Sequence, residues 1–234
     1  MEPVPEDWER ALAIVPHPDD LEYGASTAIA KWTSAGKTVV EVLGTRGEAG
    51  IDGMDPEEVA RVRTAEQVEA ARLVGVDTVE FLDHPDGMIE YGLPLRRDIA
   101  RAIRRHRPEV VVSLNFRETW PGGEGFNTAD HRVFGLAVAD AVRDAANRWV
   151  FRDPAEEPWS GVRFALFAGS PAAGHYVDVA GHLPAGIASL RAHRVYFDHL
   201  GEEFDPEAFL TGVAEQGGRE AGVAQAVTFE LIAL

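Results

Sequence analysis

Short apolar runs alternate with amphipathic stretches along most of this chain, and that alternation restricts its fold more than any other feature. "ALAIVPH" (11–17), "KTVVEVLGT" (37–45), "DTVEFLD" (77–83) and "PEVVVSL" (108–114) each have the length and branched apolar content of a buried strand. Helical stretches lie between them. Residues 23–35, "YGASTAIAKWTSA", space small and apolar residues as a helix does, and Gly36 supplies a stop. Residues 56–74 open on Pro56, crowd glutamates into the first turn and end at Gly75. "LPLRRDIARAIRRHR" (93–107) is basic and amphipathic. The polar, glycine-rich loop "NFRETWPGGEGFNT" (115–128) leads into a long helix from about Asp130 to Arg148. After a proline- and acid-rich break (153–158), "VRFALFAG" and "HYVDVAG" predict two more strands. A helix around 183–200, a glycine-rich helical stretch and a last apolar segment, "AVTFELIAL", follow. No internal repeat or low-complexity linker interrupts this order. The pattern predicts one domain over residues 1–234, an α/β fold with a Rossmann-like, mostly parallel sheet flanked by helices and a small C-terminal extension.

A length of 234 residues is enough to bury a proper core, and 45% apolar with 26% charged residues is the balance of a soluble globular protein. The formal charge of −17 argues against nucleic acid as a partner, because phosphates call for a basic face, and against anionic membrane surfaces. The absence of cysteine excludes disulfides, thiolate catalysis and cysteine-held zinc or iron–sulfur sites. A transition metal would therefore have to be held by histidine nitrogen and carboxylate oxygen. The acidic, polar start "MEPVPEDWER" has no apolar signal region, and no apolar run approaches a membrane span, so the expected location is cytoplasmic. A homo-oligomer is compatible with all of this.

The first strand runs into "PHPDDLEYG", which has neither the G-x-G-x-x-G of a dinucleotide fold nor a Walker lysine. A nucleotide-binding protein loses its main support there. In open α/β sheets ligands bind beyond the carboxyl ends of the strands, and that edge here carries His17, Asp19 and Asp20. The spacing of three lets His17 and Asp20 point the same way across a turn, half of a zinc ligand set. Asp20 also reads as a plain helix N-cap in a proline-stiffened turn, and both readings stand on spacing alone. A third ligand is available in His131 of "NTADHRVFG", which begins a helix after the fourth strand and so lies at the same edge. Asp130 beside it suits orientation of an imidazole or the electrostatics of a pocket.

"PHPDD" followed by "GASTAIAKW" resembles the signature of the LmbE-like/PIG-L family, zinc-dependent deacetylases of N-acetylglucosaminyl compounds. The resemblance continues in order through "GTRGEAG", "RVRTAEQVEAARLVGV", "VEFLDHPDG" and "RPEVVVSL" to "ADHRVFG", about residues 11–140, and "VDVAGHLPAGIASLRAH" looks like the family's C-terminal region. It implies that His17, Asp20 and His131 ligate Zn2+, with Fe2+ as the alternative metal, and that Asp19 is the general base. The implied activity is removal of an N-acetyl or N-acyl group from a small-molecule amino-sugar conjugate. An amidase for a thiol conjugate or natural-product intermediate, or a non-catalytic metabolite binder of the same fold, are the alternatives. One departure stands out. Much of the family carries "HPDH" where this chain has "TADH", so Thr128 replaces a histidine linked to catalysis. Either Asp19 works both ways as base and acid, or His84, His175 or His193 contributes, or the chemistry is slower; a subfamily with a different substrate is a further reading of the departure.

Four more residues are candidates for substrate or supporting contacts. Arg63 lies in the family's R-x-x-E helix segment, where it either meets substrate or pairs with Glu66 at i,i+3. Asp86 in "HPDG" either binds a sugar hydroxyl or serves a turn at Gly87. Arg117, with Glu118 and Trp120, lies on the 115–128 loop. His193 falls in an "LRAH" segment that approaches the pocket in the family. Glu22 is expected to be structural, and His106, His182 and His199 to be surface or helix-end residues.

Overall fold

The structure, a computed structural model, describes residues 1–123, 125–153, 156–200 and 204–233. Its strands are β1 (Glu2–Pro3), β2 (Arg10–Val15), β3 (Thr38–Leu43), β4 (Val79–Phe81), β5 (Val110–Leu114), β6 (Phe164–Ala168), β7 (His175–Asp178) and β8 (Ala226–Ala233). Its α-helices are α1 (Asp20–Gly24), α2 (Ser26–Ser34), α3 (Pro56–Leu73), α4 (Leu93–His106), α5 (Ala129–Ala146), α6 (Leu183–Leu190), α7 (Arg194–Asp198) and α8 (Pro206–Ala221). The strands join in one sheet in the order β1-β7-β8-β6-β5-β2-β3-β4. Every pairing is parallel except those of β8, which runs antiparallel to both β6 and β7.

The strands read as continuous apolar runs because both faces of the sheet are covered. Along β2, Ala11, Ala13 and Val15 face one layer with Ile29 and Trp32 of α2, while Leu12 and Ile14 face the other. That second layer is built by Ile99 and Ile103 of α4 and Phe134 and Val138 of α5. A smaller apolar group joins Leu183, Ile187 and Leu190 of α6 to Leu210 and Ala214 of α8.

Several boundaries differ from the sequence expectation for identifiable reasons. The helix expected over 23–35 is two helices, because Ala25 leaves helical geometry at φ −131°. The helix expected over 183–200 likewise stops at Leu190 and resumes at Arg194, past His193 at ψ 48°. The strand expected over 77–83 shortens to three residues, and Asp83 beyond it has φ 58°. β1 escaped the sequence because two residues carry no period; Pro3 is tolerated there at the sheet edge. The expected C-terminal extension is woven into the main sheet as β7 and β8. Among the described residues, no helix is long and apolar enough to cross a membrane.

The order of parallel strands reverses between β2 and β5. β2 is followed outward by β3 and β4 on one side, and β5 by β6 on the other. A crevice opens at the carboxyl ends of strands at such a switch. The turn leaving β2 and the loop leaving β5 both enter that crevice.

Candidate metal centre

Beyond Val15 the chain passes over the sheet edge through Pro16, His17 and Pro18 and reaches Asp19 in left-handed geometry, φ 81°. For a residue other than glycine this costs on the order of 1–2 kcal/mol, so its surroundings must impose it. They do so at several atoms. The Asp19 N–H donates to Gln67 Oε1 at 3.0 Å, and Arg63 Nη2 donates to Asp19 Oδ2 at 3.1 Å and to Pro18 O at 2.7 Å. The next residue, Asp20, starts α1 and accepts the His17 N–H through Oδ2 at 2.8 Å.

On the other side of the crevice, Thr128 caps α5 by accepting the His131 N–H at 3.3 Å, which places the His131 ring one turn inside the helix. His131 Nε2 stands 3.1 Å from Asp20 Oδ1, and His17 Nδ1 stands 3.4 Å from Asp20 Oδ2. Ligand atoms of His17, Asp20 and His131 all lie within 4.8 Å of one another. The outer nitrogen of each ring is occupied. His131 Nδ1 lies 3.0 Å from Asn127 Oδ1, and His17 Nε2 lies 3.1 Å from Asp130 Oδ2 and 3.2 Å from Asp86 Oδ1. Acceptors at the outer nitrogens turn the inner nitrogens towards Asp20, the support a metal-binding imidazole needs. A second group, His17 with Asp86 and Asp130, is as close-set. However, Asp130 already accepts the Gly87 and Ile89 N–H groups at 2.8 and 3.2 Å, so its oxygens serve the backbone. The first group therefore has the better donor set for a divalent cation: two imidazoles and a carboxylate, each already oriented.

The charges respond to this crowding. Burial, the largest influence on His17, opposes its protonation, but hydrogen bonds to Asp130, Asp20 and Asp86 outweigh it and push its pKa up to about 12. Burial also opposes ionisation of Asp20, yet His131 and His17 pull its pKa below the usual range. Asp19 moves the other way. Burial dominates there, offset in part by Arg63 and His193, and its pKa rises to about 6.

The structure places the remaining candidates one by one. Arg63 is buried and pairs with Asp19; Glu66 instead accepts the Val195 N–H at 2.6 Å. Of the two readings of Arg63, the i,i+3 pair with Glu66 is thus not formed. The Arg63 guanidinium also lies 4.0 Å from the ring centre of Tyr196. Asp86 faces His17 and accepts the Ala49 N–H at 2.8 Å. Arg117 is a correction. It pairs with Glu230 of β8, which also accepts from Ser170 Oγ at 2.6 Å, and it stands outside the lining of the crevice. His193 is fully buried with Nε2 3.5 Å from Glu22 Oε2; it is absent from the lining, so it supports Asp19 from behind rather than facing substrate. Neither His84, 3.4 Å from Asp98, nor His175, on β7, reaches the crevice. His106 meets Glu80 at 2.9 Å near the end of α4. Glu22 is buried against Gln67 and Ser189.

Sequence reasoning missed Gln67, Glu41 and Asn127. Gln67 sits four residues after Arg63 on the same face of α3, and that spacing of two long polar side chains was the available signal. The crevice as a whole is a cavity of about 890 Å³ whose lining includes His17, Asp20 and His131. A separate cavity of about 470 Å³ beside Arg104 and Trp149 contains none of these residues.

Two imidazoles and a carboxylate at the switch point of a mostly parallel sheet, with a raised aspartate alongside, define a Rossmann-like α/β protein with a candidate cation centre. The chain belongs to the PIG-L family, described as GlcNAc-PI de-N-acetylase, whose model matches residues 12–142. It is 29% identical to a diacetylchitobiose deacetylase of Thermococcus kodakarensis over 92% of this chain and 80% of the relative. It is 30% identical to a 1D-myo-inositol 2-acetamido-2-deoxy-alpha-D-glucopyranoside deacetylase of Kineococcus radiotolerans, covering 79% of this chain and 68% of that one. Among solved structures, the N,N'-diacetylchitobiose deacetylase of Pyrococcus horikoshii superposes with a TM-score of 0.86 at 26% identity, over 97% of this chain and 85% of that one.

Proposed function

We propose that residues 1–234 form a single deacetylase domain, a cytoplasmic hydrolase that removes an N-acetyl group from a glucosamine-containing small molecule. The observation that carries this is the meeting of His17, Asp20 and His131 beside Asp19 in a chain of this family. His17, Asp20 and His131 would hold the metal, zinc or iron(II), through His17 Nδ1, the Asp20 carboxylate and His131 Nε2. When bound, the ion supplies a Lewis acid that polarises the amide carbonyl and acidifies a water molecule.

The rest falls to side chains of this chain. Asp19 is the base. Arg63 holds its Oδ2, leaving Oδ1 for the water's proton, and a pKa raised to about 6 keeps it ionised at neutral pH yet basic enough to accept. Of the histidines that were candidate acids, none lines the crevice, so Asp19 also returns the proton to the departing amine. Thr128 lines the cavity but is spent on capping α5. Asn127 fixes the His131 ring, while Asp130 and Asp86 fix His17.

Asp19→Ala is expected to lower turnover by roughly 10²–10⁴-fold while metal content stays at the wild-type level. Acetate release and elemental analysis on the same preparation check this, and near-normal turnover would remove Asp19 from the base role. The activity itself is tested on a panel of N-acylated amino sugars with protein reconstituted with zinc or iron(II). If no member releases amine with either metal, the deacetylase assignment fails.

A further inference from the structure

Tyr196 lines the crevice, but none of the proposed chemistry uses it, and its hydroxyl meets no partner among the described residues. What it offers is the face of its ring. The Arg63 guanidinium lies over that face, with Cζ 4.0 Å from the ring centre. Arg63 is the residue that holds Asp19, so the contact bears on the proposed base.

The guanidinium is bonded along one edge. Nη2 donates to Asp19 Oδ2 at 3.1 Å and to Pro18 O at 2.7 Å, and Nη1 donates to Gly47 O at 3.3 Å. Nε is buried without a hydrogen-bond partner among the described residues. Such bonds hold the edge, but their broad angular tolerance leaves the plane of the group free to tilt. Backbone crowds the same edge, since a Cβ at Gly47 or at Gly50 would lie 2.4 Å from Nη1. Tyr196 supplies the missing contact on a face, and a cation–π pair sheltered from water is stronger than an exposed one.

The ring is brought there by α3 itself. Glu66, three residues after Arg63 on α3, accepts the Val195 N–H through Oε1 at 2.6 Å and so anchors α7 next to Tyr196. Phe197 adds a ring contact to Phe204, with centres 5.0 Å apart. Arg63 and Glu66 thus act on one element without pairing: Glu66 fixes the backbone of α7, and Arg63 receives the ring that α7 carries. Burial, and after it the charge of Asp19, raises the pKa of the Tyr196 phenol, so the ring stays neutral beside the ion pair.

We propose that Tyr196 is a positioning residue for the base: its ring face clamps the Arg63 guanidinium in the plane that bonds Asp19 and keeps crevice water off it. Without the ring, water would compete for the guanidinium and weaken its hold on Asp19 Oδ2. Oδ1 would then lose its aim at the water it deprotonates. The hydroxyl has no part in this. The role in turnover rests on the deacetylase assignment above, so the clamp itself is also read apart from turnover.

Tyr196→Leu removes the ring face and Tyr196→Phe keeps it. On the best substrate of the amino-sugar panel, Tyr196→Leu is expected to lower kcat roughly 5- to 30-fold with much less change in KM, the loss of a sheltered cation–π contact. Tyr196→Phe should restore kcat to within about threefold of the wild type. Independently, in isotope-labelled full-length protein the assigned Arg63 Nε–H proton should resonate upfield under the ring, move downfield in Tyr196→Leu and stay in place in Tyr196→Phe. If the leucine variant does not fold, Tyr196→Met gives the same two readings. An Arg63 resonance unmoved by loss of the ring overturns the clamp. A wild-type kcat in a folded variant without the ring overturns the positioning role, and equal loss in the phenylalanine variant would transfer that role to the hydroxyl and overturn it too. A wild type that turns over no N-acylated sugar, with an Arg63 resonance that still depends on the ring, would remove the deacetylase assignment and leave the clamp standing.

Discussion

Gln67 is fully buried, and its side-chain amide has only one satisfactory orientation. Nε2 donates to Glu22 Oε1 at 3.2 Å and to Glu41 Oε2 at 3.0 Å, which turns Oε1 towards the Asp19 N–H. Two buried carboxylates thus set an amide, and the amide holds the left-handed backbone of the proposed base. Glu41 is itself pushed well above the usual carboxylate range, chiefly by burial and then by Glu22. Gln67→Met removes the acceptor while keeping the volume. It is expected to lower kcat by roughly 10–100-fold with a much smaller change in KM, because the base is misplaced rather than lost. Steady-state kinetics on a variant whose thermal melt shows it folded would check this; an unchanged kcat would deny Gln67 any positioning role. At this scale "PHPDD" was legible because metal-binding residue types at a strand end leave a local signature. Arg63 was legible as important, but not its partner. Its nearest acid in sequence is Glu66, and the structure selects Asp19, 44 residues distant. A glutamine in a charged helix reads as solvated surface, and only the two carboxylates packed against it show otherwise.

The helices show a similar division. Long elements with strong ends, such as α3 with Asp55 capping and Pro56 at its first turn, were legible to within a residue or two. The breaks at Ala25 and past Leu190 were not, since neither Ala25 nor Arg191, Ala192 and His193 supplies a glycine or proline to stop a helix. Tertiary contact explains the glycine inside α6. An added Cβ at Gly186 of α6 would lie 2.1 Å from Thr27 Oγ1 of α2 and 3.2 Å from the Thr27 Cα, so α6 can approach α2 only without a side chain at that position. Gly186→Ala is expected to destabilise the protein by roughly 1–3 kcal/mol through overpacking. A urea unfolding midpoint equal to that of the wild type would show that α6 moves aside at no cost. The direction of β8 was equally hidden. "AVTFELIAL" identifies a buried strand, but parallel and antiparallel neighbours demand the same apolar residues.

Across the whole molecule, ionisation is linked to the proposed capture of a metal. With His17 held protonated to about pH 12 in the metal-free cluster, an arriving cation must displace the Nδ1 proton, whereas Asp20 is already ionised. Binding of zinc or iron(II) at the proposed centre at neutral pH is therefore expected to release about one proton from His17, so apparent affinity rises with pH and weakens as pH falls. Calorimetry in buffers of different ionisation enthalpy measures that release; identical heats in all buffers would contradict the linkage. The sheet order carries a separate consequence for how the molecule is made. β8 lies between β6 and β7 and supplies the hydrogen bonds that join them, while β1 attaches only to β7. A nascent chain can close the five-stranded part from β2 to β6 while translation proceeds. β7 and β1, already synthesised, must wait for residues 226–233 to leave the ribosome before either has a place in the sheet.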